Sequence, residues 1–149
     1  MLALAESGAS IRRAVEAAMG PLSELSEEQA SEQWRGAGTW SRKKLLGHLI
    51  DSAANNHQRF VRAAIDGSFS GMPYAQEQWV TTGAYQELPW TFLITLWQHY
   101  NLLLAHVLER VDAERASAAV RIGKEQLTLA AVAEDYPRHM RHHLAQILG

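Results

Sequence analysis

Apolar residues recur along much of the chain at intervals of three and four, the period of a helix buried on one face. The first such run carries Ile11, Ala14, Val15, Ala18 and Met19. It is expected to stop near Gly20-Pro21, because proline lacks an N–H donor and restricts its predecessor. A helical turn at Ser26-Glu-Glu-Gln29, capped by Ser26, should follow. The second helix has a sharper start: Ser41 suits the N-cap, and Trp40 with Leu45 takes the positions of a hydrophobic staple. It should run to about Asp66-Gly67, with Leu45, Leu46, Leu49, Ile50, Ala53, Phe60, Val61 and Ala64 forming one apolar arc. His48 stands beside that arc in line with Asp51, Ser52, Asn55 and Arg59, and His57 falls on the opposite side.

The third helix, about Trp90 to Val111, has the strongest period: Leu93, Leu96, Trp97, Tyr100, Leu103, Leu104, Val107 and Val111 make one stripe. His99 and His106 lie off it and read as boundary or surface residues. The fourth helix spans about Thr128 to Leu148 and contains Pro137, expected to kink it just before His139. Val120-Arg-Ile122 and Gln126-Leu-Thr128, flanking Gly123-Lys124-Glu125, read as a small hairpin. The connection from Gly67 to about Leu88 is long, and its aromatic residues Tyr74, Trp79 and Tyr85 argue for order and for a role. Long links at two junctions give the expected fold class: an all-α four-helix bundle with crossover connections and a β-hairpin before the last helix.

Length and composition narrow the function classes. The 149 residues fit one domain, 1–149, able to bury its own core. A net charge of -2 with no basic stripe argues against nucleic acid as a partner. No window approaches the apolar length of a membrane span, and the N-terminus lacks the pattern of a secretory signal. The chain has no cysteine, so it can offer neither a thiolate ligand nor a cysteine nucleophile. A cytoplasmic location is the expectation.

The candidate chemistry lies in three histidines. His139 and His143 are four residues apart on one helix, so both rings can reach one ion. His48, from an earlier helix, would complete a three-nitrogen site that keeps open coordination positions. Asp135, one turn before His139, and Gln146, just after His143, could orient the two rings. His142 is about 60° from His139 on the helical wheel and reads as a flanking residue. The bland alternative is a set of surface or satisfied histidines beside a solvated polar face. On the functional reading, the row Asp51, Ser52, Asn55 and Arg59 lines a polar cavity, where Arg59 is a fixed cation for an anionic substrate group. Trp79, in the long connection, could wall a pocket.

Three segments also resemble a known family. Trp40-Ser-Arg-Lys-Lys-Leu-Leu-Gly-His48-Leu-Ile-Asp51, continuing to Asn55 and Arg59, is similar to the first metal-ligand segment of the DinB/YfiT-like superfamily. Tyr74-Ala-Gln-Glu-Gln-Trp79 through Tyr85 resembles its connecting region, and Asp135-Tyr-Pro-Arg-His139-Met-Arg-His142-His143-Leu-Ala-Gln146 resembles its final helix. The resemblance implies a four-helix bundle whose divalent ion is held by His48, His139 and His143. It further implies kinship with thiol S-transferases using bacillithiol or mycothiol, often homodimeric, and with proteins described as metal-dependent hydrolases.

The leading expectation is therefore a transferase. The ion, zinc or nickel, activates a low-molecular-weight thiol (bacillithiol-type) for attack on an electrophilic small molecule. Arg59, Asn55 and Asp51 are the candidate catalytic or positioning residues. One alternative keeps the site and makes water the nucleophile, giving a hydrolase. Another is a non-catalytic metal-binding or ligand-sensing bundle.

Overall fold

The computed structural model describes residues 2–149. Four long helices carry the fold: α1 (Leu4–Glu24), α3 (Arg42–Asp66), α5 (Trp90–Arg110) and α6 (Leu129–Leu148). Between them lie two short helices, α2 (Glu27–Ser31) and α4 (Gln76–Gly83), and 3-10 turns at Tyr85–Glu87 and Ala113–Ser117. Strands β1 (Ser68–Gly71), β2 (Ala119–Ile122) and β3 (Glu125–Thr128) complete the chain. Helices α1 and α3 each pack against both α5 and α6. Two of the three successive pairs, α1 with α3 and α5 with α6, thus sit on opposite corners of the bundle, while α3 and α5 are neighbours, as expected for crossover connections at two junctions. Among the described residues no helix is long and apolar enough to cross a membrane.

Local chemistry sets the helix ends. Ser26 and Gln29 form a capping box, Ser41 caps α3 through Lys44 N, and Thr128 caps α6 through Ala131 N at 3.1 Å. Gly67 ends α3 in the left-handed region at φ 77°, where a Cβ would be strained. The expected stop at Gly20-Pro21 does not occur: α1 continues to Glu24. Proline there deletes one donor near the helix end. Burying Leu22 completely, and the bond from Trp90 Nε1 to the Leu22 carbonyl at 3.0 Å, offset that loss. Helix α6 contains Pro137, which is itself buried.

The connection 67–88 is ordered, as its aromatic residues argued, and it holds regular elements of its own. Strand β1 pairs in parallel with β2, so the expected hairpin β2–β3 becomes a three-stranded sheet, and α4 and a 3-10 turn follow. The buried face of α5 is also turned from the stripe read in the sequence. Leu96 and Leu103 are exposed, while Ile94, Asn101, Ala105 and Leu108 join Leu93, Trp97 and Leu104 inside. Asn101 is accommodated because the Tyr136 hydroxyl donates to its Oδ1 at 2.6 Å and its Nδ2 donates to the Trp97 carbonyl at 2.8 Å.

Candidate metal centre

Residues 45–53 of α3 are buried without a break. Helix α3 packs on α5 and α6, and α2, α4 and the turn at Tyr85–Glu87 also lie against it. His48 therefore faces protein; it is 1% exposed, with the Trp40 ring centroid 5.5 Å from its own. From α6, His139 and His143 project one above the other at the same end of the bundle. Their ring centroids are 5.5 and 4.8 Å from that of His48, and their Nε2 atoms are 3.2 Å apart. One ring nitrogen from each of the three lies within 4.8 Å of the others.

The protonation states suit ligation. Burial pushes the His48 imidazole down to about 4, helped by repulsion from His143 and His139. Burial also lowers His139 and His143; in His143 the bond to Gln146 works the other way. All three rings are then neutral at pH 7, the form that binds an ion. His143 Nδ1 donates to Gln146 Oε1 at 2.8 Å, which fixes the tautomer and leaves Nε2 with its lone pair toward the group. Three neutral nitrogens with no thiolate are a donor set that fits a divalent ion with open coordination positions.

Other residues take less expected places. Asp135 does not reach His139. It is exposed and pairs with Arg138 at 3.2 Å, at the rim of the cavity that His139 also lines. Asn55 is turned away from the site and donates to the Asp51 carbonyl at 2.9 Å; Asn56, one residue on, is buried at the site instead. A cavity of about 260 Å³ opens beside His139, walled by Ser52, Asn56, Arg59, Tyr74 and Tyr136 with Leu127 and Val132. The Arg59 guanidinium there makes no ion pair among the described residues. It donates only a long bond, 3.5 Å, to Asn56 Oδ1, and burial pulls its pKa down. A second cavity, about 490 Å³, is lined by Asp51, Gln78, Trp79, Thr82, Gly83 and Tyr85. Asp51 is buried and accepts from the Tyr85 hydroxyl through Oδ1. Burial pushes its carboxyl up, opposed by that bond. His142 is exposed and His57 meets Tyr100, so neither joins the group. His99 and His106 are also exposed.

Sequence reasoning missed Asn56 and the pairing of Tyr85 with Asp51. The one signal for the latter was Gly47, a glycine inside a strong helix with no turn to explain it.

No family model matches the chain. Proteins from Bacillus mycoides and Bacillus cereus, each named "Putative metal-dependent hydrolase", are 27% and 26% identical over 129 residues. The match covers 85% of this chain and 72% of theirs. YfiT from Bacillus subtilis, a four-helix bundle of unusual topology, superposes with a TM-score of 0.74 at 22% identity, over 97% of this chain and 79% of YfiT. This chain has the DinB/YfiT-like fold. A mycothiol-dependent maleylpyruvate isomerase shares that fold, with a TM-score of 0.78 at 18% identity, over 98% of this chain and 61% of the isomerase. The YfiT-like bundle described here thus spans less than two thirds of the isomerase's length.

Proposed function

We propose that this protein is a metal-dependent transferase in which His48, His139 and His143 hold one divalent ion, zinc or nickel, and a low-molecular-weight thiol is the nucleophile. An ion in a site of three neutral ligands keeps its full charge and lowers the pKa of a thiol that binds it. The thiolate sulfur forms a bond to an electrophilic carbon, the leaving group departs with the bonding pair, and the thiol proton passes to water. The chain itself contains no cysteine, so the sulfur arrives with a cosubstrate, a thiol of the bacillithiol type.

The observation that carries this reading over hydrolysis is the pair of cavities. One ends at His139 and the other begins at Asp51, one helical turn along α3 from His48. Two organic molecules need two such spaces, whereas a hydrolase needs one beside its water. In the first cavity Arg59, free of any acidic partner among the described residues, attracts an anionic group of the electrophile, and Asn56 and Tyr74 offer it hydrogen bonds. The kinship of fold with a mycothiol-dependent enzyme supports thiol chemistry, and the names of the Bacillus relatives support a metal.

The deciding experiment loads purified protein with zinc or nickel. It then compares conjugation of a small thiol to an alkylating electrophile with cleavage of a panel of esters and amides. Thiol-dependent conjugation that a chelator abolishes is the expected result. Ester or amide cleavage at equal rates with and without thiol would replace this reading with the hydrolase.

A further inference from the structure

Three local departures from the most favourable backbone converge on Tyr85. Gly47 lies inside α3, where glycine weakens a helix; a Cβ there would stand 2.1 Å from Tyr85 Cδ2. Gly83, at the end of α4, meets the same edge of the ring, and its Cβ would lie 2.6 Å from Cε2. Ala84, between Gly83 and Tyr85, is left-handed at φ 49°, a region that residues with a Cβ seldom enter. Together they seat the ring against α3, where its hydroxyl donates to Asp51 Oδ1. Strained and thinned backbone of this kind collects where a side chain must be held for function.

What Asp51 does with its other oxygen is the question. Among the described residues, Asp51 Oδ2 is buried with no hydrogen-bond partner, and the same holds for His48 Nδ1. One is an acceptor and the other can be a donor, and they belong to residues i and i+3 of one helix face. A histidine that ligates through Nε2 carries its proton on Nδ1, and that proton ordinarily goes to a carboxylate or carbonyl. On α6 the matching role is filled by Gln146 for His143.

We propose that in the metal-loaded protein His48 Nδ1–H donates to Asp51 Oδ2, with Tyr85 fixing the carboxylate through its other oxygen. The inference rests on the three-histidine metal reading. It makes Asp51 and Tyr85 positioning residues, which orient His48 and raise its basicity as a ligand without touching the ion.

The test uses cobalt(II) as the probe, titrated into metal-free protein against a competing chelator. Proton NMR follows the solvent-exchangeable, paramagnetically shifted ring N–H of His48. In the wild type that resonance is present. Asp51→Leu should bind cobalt about 10–100-fold more weakly and lose the resonance to exchange. Asp51→Asn, which keeps an acceptor oxygen, should retain the resonance with a smaller loss of affinity, and Tyr85→Phe should shift it. Asp51→Leu protein that binds cobalt as tightly as the wild type overturns the proposal. If that variant does not fold, wild-type cobalt affinity in Asp51→Asn together with an unshifted resonance in Tyr85→Phe overturns it equally. Wild-type protein that takes up no cobalt would instead sink the metal reading itself, and this inference with it.

Discussion

Within the single helix α3, residues 45–53 are enclosed on every side, whereas residues 57–66 show the ordinary alternation, with Phe60 and Ala63 inside and Gln58, Arg62 and Asp66 outside. A helix enclosed all round is normally apolar throughout. This one carries His48, Asp51 and Ser52 in its enclosed half, although burying polar groups costs free energy unless they are satisfied. Polar residues in the open half need no such explanation: Arg62 Nε donates to Gln58 Oε1 at 2.7 Å on the surface. The contrast separates polar side chains enclosed by protein from those that solvent satisfies, and it can be broken at either end.

The largest effect should come from the enclosed half and its partners on α6. Alanine at His48, His139 or His143 should each abolish stoichiometric metal uptake, read by elemental analysis, while His57→Ala in the open half keeps it. A His139→Ala protein with full metal content would end the distinction. Next, Gly47→Val should destabilise the fold by roughly 1–3 kcal/mol through overpacking against Tyr85. Ala64→Gly, at a half-buried position further along the same helix, should cost about 1 kcal/mol or less. Chemical denaturation of the two variants checks this, and equal losses would erase the contrast.

The pH dependence is subtler. Burial holds the His48 imidazole well below its ordinary 6.5, at about 4, so the unfolded chain binds its proton first. The stability of metal-free protein linked to His48 is fully present above about pH 6.5 and is lost as pH falls towards 4. Asp51, pushed up by burial, acts in the opposite sense at the lower end. The comparison is therefore with His48→Gln, which removes the imidazole and keeps the carboxyl. Denaturation midpoints of the two proteins should diverge in slope across that window, and parallel profiles would contradict the assigned burial. Smallest of all, Gln58→Ala and Arg62→Ala should each lie within about 0.5 kcal/mol of wild type by the same measurement.

How much of this was legible depended on whether the cause was local. Ser26 and Ser41 act on backbone three residues away, so their caps could be read directly. The i,i+4 pair on α6 and its Gln146 neighbour were legible for the same reason. Strand β1 was not, since its four residues pair with β2 across the fold. The face of α5 was misjudged because apolar residues cover more than one side of that helix. Packing against α1 and α3, together with the bond between Tyr136 and Asn101, selects the side that is buried. Asn56 was passed over for Asn55, since both sit near the edge of the same arc and only the neighbouring elements decide between them.

The placement of the three imidazoles has a mechanical side. His48 and His139 are remote in the chain and are joined only through the crossover, the sheet and α5, so an ion bound by both would act as a reversible clasp between α3 and α6. Closing so long a loop is where a cross-link reduces the freedom of the unfolded chain most. Loading should then slow amide exchange along the later turns of α6 while leaving α1 nearly unaffected, so that occupancy of the site and the anchoring of α6 rise and fall together.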